Sequence, residues 1–253
     1  MMRTLRSLLF DGLLYSWTAF CVIVFIPTLI SRRTALWTNN LWAAGVFWLC
    51  KHVLGLNYEI KGRENLPQGP YFIASKHQSA WETMIYHVLL TDAIYVLKKE
   101  LMWIPLFGWF LKRLDMIPVS RSKKKALQDL RQMLQASDDA VQENRTIVIF
   151  PEGTRSKPGF PGTYHAGVAV LYSHLSIPVV PVALNSGLFW PRKGLIKKPG
   201  LVTLEFLKPI QPGLSKQAFM ALLEERIEEG SLKLYKKGLV HVENAEEDHA
   251  THP

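Results

Sequence analysis

From Asn57 onward, short apolar runs alternate with longer stretches patterned for helices, and this alternation constrains the fold more than any other property of the chain. The strand-like runs are residues 58–61, 71–75, 93–97, 116–119, 146–150, 179–184 and 202–206. Helical periodicity marks residues 80–90, 101–111, 123–143, 166–174 and 216–234. Strands that alternate with helices pack as an α/β sandwich, because each crossover helix covers a face of the sheet. The expected fold is therefore α/β, with a mixed, largely parallel sheet flanked by helices. Pro/Gly-rich stretches at 65–70 and 157–162 read as loops.

The first 56 residues follow another pattern. Residues 12–31 contain no charged side chain and are mostly Leu, Val, Ile, Phe and Trp. Such a helix would span roughly 30 Å, about the hydrocarbon thickness of a bilayer. Arg3 and Arg6 resemble the basic start of a signal peptide, but the apolar run is long for one and no small-x-small cleavage site follows. A second apolar segment, residues 36–56, carries Trp37, Trp42 and Trp48. Basic residues flank both segments on every side, which leaves the positive-inside rule nothing to separate. An apolar helical pair inserted into one leaflet keeps these cations on one face, and a single full span is the competing arrangement. The chain thus divides into membrane-associated helices (1–56), an α/β domain (57–240) and a polar tail (241–253). That tail holds three histidines without periodicity and reads as disordered.

Charge narrows the partners. Thirty Lys and Arg against 21 Asp and Glu give a net charge of +9, which suits anionic lipid, an acidic substrate or nucleic acid. No zinc-ligand spacing or RNA-binding aromatic motif is present, so nucleic acid is not an expected partner. Cys21 and Cys50 both sit in apolar segments, and no disulfide framework follows from them.

Two segments carry candidate chemistry. In Lys76-His77-Gln78-Ser79-Ala80-Trp81-Glu82, a histidine just past a strand is separated by four residues from a carboxylate in the first turn of a helix. A carboxylate on one imidazole nitrogen sets the tautomer and stabilises the imidazolium as the other nitrogen takes a proton. The bland reading, a surface histidine beside a glutamate favoured by the helix dipole, competes with this one when the segment is taken alone. Downstream, Phe150-Pro151-Glu152-Gly153-Thr154-Arg155-Ser156 closes a strand with a glycine, a hydroxyl and a guanidinium whose planar fork suits phosphate. The pair points to group transfer onto a phosphorylated acceptor. A serine hydrolase is disfavoured because no Gly-x-Ser-x-Gly elbow occurs.

These two segments in this order, together with Ile177-Pro178-Val179-Val180-Pro181-Val182, resemble the glycerophospholipid acyltransferase family, most closely its 1-acylglycerol-3-phosphate acyltransferase branch. The resemblance covers roughly residues 55–210. It implies that His77 is the catalytic base and that Glu82 stands where aspartate is usual. Lys98 or Lys99 and Arg121 resemble a second motif that assists Gly153, Thr154 and Arg155 with the acceptor phosphate. Glu152 would help shape the acceptor site, and Pro181 would be structural. The implied reaction joins lysophosphatidic acid to an acyl group from acyl-CoA or acyl carrier protein, at a membrane and without metal or cofactor. Another lysolipid acceptor, such as a lyso-ornithine lipid, and a catalytically silent membrane scaffold are the alternatives. Trp103, Phe107, Trp109 and Phe110 read as core, with an acyl-chain passage as the second reading. His87 and His174 read as plain helix residues, and His165 as a residue that could line the site.

Overall fold

The computed structural model describes the backbone of residues 2–120 and 126–251, and their side chains except at residue 126 and residues 241–251. Arg121 and the run Lys123-Lys124-Lys125 lie outside the described residues. The strands are β1 (Leu56–Lys61), β2 (Phe72–Ser75), β3 (Ala93–Lys98), β4 (Ile117–Val119), β5 (Thr146–Ile149), β6 (Val179–Leu184) and β7 (Gly200–Phe206). The helices are α1 (Met2–Val24), α2 (Arg32–Leu49), α3 (Glu82–Leu89), α4 (Phe107–Arg113), α5 (Ala126–Gln142), α6 (Gly167–Leu175), α7 (Ser186–Phe189) and α8 (Lys216–Thr251). Each strand-like run of the sequence became a strand, within a residue or two at its ends.

The seven strands form one sheet in the order β1-β7-β6-β2-β5-β3-β4. Strands β2 to β6 run parallel, whereas β7 is antiparallel to β6 and β1 pairs parallel with β7. The fold is thus α/β with a mixed, mostly parallel sheet flanked by helices. Central strands β2 and β6 are buried at every position, as expected where helices cover both faces. The C-terminal ends of β2, β3, β4, β5 and β6 share one edge, where active sites of such sheets gather.

The N-terminal segment is less uniform than its composition suggests. Among the described residues, α1 is the one helix long and apolar enough to cross a membrane. Its first half is docked: Phe10 is fully buried edge-to-face on Trp190, and Asp11 pairs with Lys197 at 2.7 Å. Its second half keeps Tyr15, Phe20 and Ile23 exposed. Ser31 caps α2, accepting from the Thr34 amide at 3.2 Å. The α2 helix buries Ala35, Ala43, Val46 and Phe47 on one side and leaves Trp37 and Trp48 exposed on another. The two helices are stitched by Trp17 Nε1 donating to the Trp42 carbonyl and Trp42 Nε1 donating to Thr18 Oγ1, both at 3.0 Å. Gly45 permits this approach, since a Cβ there would strike the Trp17 indole. Arg32, at the start of α2, pairs with Asp92 and Asp115, to which Arg145 also bonds.

Two expectations are revised. The helix expected at 101–111 is broken into a 3-10 turn (Lys99–Trp103) and α4, because Pro105 cannot donate and Leu106 adopts a left-handed φ of 64°. Of its aromatics Phe110 is buried, but Trp103 and Trp109 are 78% and 50% exposed and are not core. The last helix, α8, has helical backbone to Thr251. Ala and Glu are frequent in residues 241–251 and no Gly or Pro interrupts before Pro253.

Candidate active site

His77 sits in the loop that leaves β2, with Glu82 opening α3. The chain turns back between them, so that Glu82 Oε1 accepts from the Gln78 and Ser79 amides, both at 2.5 Å. The same oxygen lies 2.9 Å from His77 Nδ1. Oε2 accepts from the Ser186 hydroxyl at 2.6 Å. Glu82 is fully buried, and four donors converge on its carboxylate. Because Oε1 already accepts two amide hydrogens, Nδ1 of His77 is the donor in their contact. Nε2 therefore holds the free lone pair, and among the described residues it has no partner. The ring stacks on Phe150 with centroids 4.4 Å apart and retains 15% exposure.

The downstream segment grips the same histidine by its backbone. The His77 amide donates to Glu152 Oε2 at 2.6 Å. Its carbonyl accepts from the Ser156 amide at 2.7 Å and the Ser156 hydroxyl at 3.0 Å. Gly153, at φ 59°, makes the left-handed step that brings Glu152 and Ser156 to opposite sides of residue 77. The β2–β5 pairing sets the two loops side by side.

Behind this clasp lies a charge cluster that sequence reasoning missed. Lys76, 1% exposed, donates to Glu152 Oε1 at 2.8 Å and to both oxygens of Glu228 on α8, at 2.6 and 2.8 Å. Tyr164 adds a hydroxyl to Glu228 at 3.0 Å. Burial pushes the Glu152 carboxyl upward, against the pull of the Lys76 ammonium and the His77 amide. The one hint in the sequence was a lysine directly after an apolar strand run, where a charge is costly unless paired. A cavity of about 150 Å³ borders the cluster, lined by Lys76, Gln78, Phe160, Glu228 and Leu232. It touches the neighbours of His77 rather than His77, and it is smaller than the roughly 300–1,000 Å³ of usual ligand pockets.

The other expected site residues are placed as follows. Arg155 is half-buried past the Gly153 turn, and its carbonyl accepts from Arg192 at 2.8 Å. Lys98 ends β3 and is exposed, and Lys99 starts the following turn, half-buried. Both stand on the His77 edge, since β3 is two strands from β2. Thr154 is half-buried beside Arg155, and Glu152 faces inward to Lys76 and His77 rather than outward to an acceptor. His165 is exposed, with its amide bonded to the Pro151 carbonyl. His87 is buried in α3, and His174 pairs with Asp138 at 2.8 Å.

Residues 57–185 match the family model described as Acyltransferase. The chain is similar to a 1-acyl-sn-glycerol-3-phosphate acyltransferase of Pseudomonas aeruginosa, 37% identical over 204 residues that cover 79% of this chain and 78% of that protein. A yeast protein of the same name, from Saccharomyces cerevisiae, is 30% identical over 175 residues, covering 65% of this chain and 55% of its own length. Among solved structures, the 1-acyl-sn-glycerophosphate (LPA) acyltransferase PlsC from Thermotoga maritima aligns with a TM-score of 0.76 at 21% identity, over 92% of this chain and 97% of that one. That likeness shows the fold.

Proposed function

The chain belongs to the acyltransferase family, and from that premise we propose that it moves a fatty acyl group from a thioester donor to the sn-2 hydroxyl of 1-acylglycerol-3-phosphate, giving phosphatidic acid. The observation that carries this reading is the His77–Glu82 pair, with Nδ1 held at 2.9 Å and Nε2 left to act. Nε2 takes the proton of the acceptor hydroxyl as its oxygen attacks the thioester carbonyl. The tetrahedral intermediate collapses by breaking the C–S bond, and the imidazolium returns the proton to the departing thiolate. No protein nucleophile is required. Base catalysis of this kind contributes about 10²- to 10⁴-fold, and Glu82 supports it by stabilising the transient imidazolium.

Arg155 supplies the planar fork for the acceptor phosphate, with Lys98, Lys99 and Arg121 as supporting cations. The relatives named for this reaction support the choice of a phosphorylated acceptor over other lysolipids. Acyl-CoA and acyl carrier protein both present the thioester the mechanism needs. The exposed apolar half of α1 supports attachment to a bilayer, with the catalytic edge on the cytoplasmic side of a bacterial inner membrane where thioester donors occur.

The test is direct. Membranes carrying the protein are incubated with lysophosphatidic acid and mixed thioesters, and the lipid product is identified. His77→Ala at equal membrane abundance should lose at least a hundredfold in rate. Wild-type-like turnover by that variant would remove His77 from the chemistry.

A further inference from the structure

The catalytic edge of the sheet carries two exposed apolar loops, one on each side of His77. The first follows β3: Leu101, Trp103, Ile104 and Trp109 are 37%, 78%, 44% and 50% exposed. The second lies between α7 and β7, where Leu195 and Ile196 are 63% and 46% exposed. Soluble surfaces seldom display such residues in adjacent sets, and patches of this kind mark interaction sites. Strand order places the loops: β6 and β7 lie on one flank of β2, and β5 and β3 on the other. The first loop is about 10 Å from β2, counted at the usual spacing between strands.

Both loops are flanked by cations. Lys98, Lys112 and Arg113 are exposed around the first, with Glu100 as the opposing acid. Arg192 and Lys193 are exposed before the second. Both are also continuous with the N-terminal helices. Arg113 donates to the Ile30 carbonyl at 2.5 Å, and Ile30 itself is 83% exposed. On the other side, Lys197 is held by Asp11 and Ser7 of α1.

We propose that these two loops are a second membrane contact, through which the catalytic edge itself rests on an anionic phospholipid bilayer. Tryptophan favours the interfacial depth, neighbouring aliphatics enter below it, and the cations meet the negative surface. The arrangement holds His77 at the level of lipid headgroups, so that a lysolipid acceptor reaches it without leaving the bilayer. This rests on the membrane attachment proposed above, and the measurement separates the two ideas.

The full-length chain, with Cys21→Ala and Cys50→Ala, receives one new cysteine at a time for an environment-sensitive fluorophore. The positions are Trp103→Cys and Leu195→Cys on the loops, Ile30→Cys beside α1, and Leu214→Cys at the opposite end of the sheet. In vesicles containing phosphatidylglycerol, nitroxide-bearing lipids should quench labels at 103, 195 and 30 severalfold more than the label at 214. Aqueous iodide should show the reverse order. Lys112→Glu should weaken quenching at 103 in anionic vesicles more than in neutral ones. Quenching at 30 with free iodide access at 103 and 195 would overturn the second contact while keeping the helical anchor. Absence of lipid quenching at all four positions would overturn both. A label at 103 shielded from both quenchers would place that loop against protein, as an acyl-chain passage would, and would also sink the proposal.

Discussion

The carboxylate of Glu82 divides its contacts between its two oxygens. One oxygen serves His77 and two backbone amides, while the other extends to Ser186, which opens α7 just past the end of β6. Ser186 bonds the carboxylate rather than the imidazole, and we propose it as a positioning residue. Removing a hydrogen bond to a charged group costs about 1.5–3 kcal/mol, so Ser186→Ala should lower kcat by about one to two orders of magnitude, with KM for the lysolipid little changed. Ser186→Thr should recover most of the loss, which a merely space-filling role would not predict. Glu82→Asp should retain appreciable activity, since the charge survives and only the Ser186 contact is stretched. Glu82→Gln should lose far more, because a neutral amide cannot stabilise the imidazolium. Initial rates on the four variants decide the matter, and a Gln variant faster than Asp would show that shape outweighs charge.

At the scale of elements, Lys76 joins three of them: the end of β2, the loop after β5 and the middle of α8. Its pairs are buried at one end and partly open at the other, for the Glu152 side chain is 1% exposed and that of Glu228 is 19% exposed. This difference sets the order of damage. Lys76→Met strands two carboxylates without their cation, and breaking a buried pair in this way costs roughly 3–5 kcal/mol. Glu228→Gln leaves the Lys76–Glu152 pair intact and should cost no more than about 1–2 kcal/mol. Thermal unfolding in detergent should therefore rank wild type above Glu228→Gln, and Glu228→Gln well above Lys76→Met. Because Glu152 also holds the His77 amide, activity should follow the same order. Equal midpoints for the three proteins would mean that the cluster is not what binds α8 to the site.

The fold as a whole also carries a pH signature. His87 is buried against Tyr95 in the interior, and desolvation lowers its pKa from 6.5 to about 3. The unfolded chain takes up this proton below about pH 6.5 and the folded one refuses it until about pH 3. Stability contributed by the neutral ring is thus complete above pH 6.5 and is lost as pH falls between those values, by at most about 1.4 kcal/mol per pH unit. His87→Phe cannot bind the proton. Relative to that variant, the wild-type melting midpoint should drop steadily from pH 6.5 to pH 4. Parallel midpoints over that range would show that water or a relaxed backbone admits the charge.

The apolar runs of the sequence determined where each of the seven strands would lie, most plainly for β2 and β6, whose burial on both faces leaves a continuous local signature. They also marked the two loops that carry the proposed chemistry, since His77 and Glu152 each directly follow or nearly follow such a run. The break in the helix expected at 101–111 was legible in Pro105, although the left-handed turn at Leu106 was not. Only the tertiary structure decided that β7 would insert antiparallel beside β6, for Val- and Leu-rich strands are nearly interchangeable partners until the whole sheet packs. It alone brought Glu228 to Lys76 and Ser186 to Glu82, across separations in the chain over which no local periodicity operates. It also decided that Trp103 and Trp109 face outward. Hydrophobic character marks a side chain for removal from water but does not say whether protein or lipid receives it.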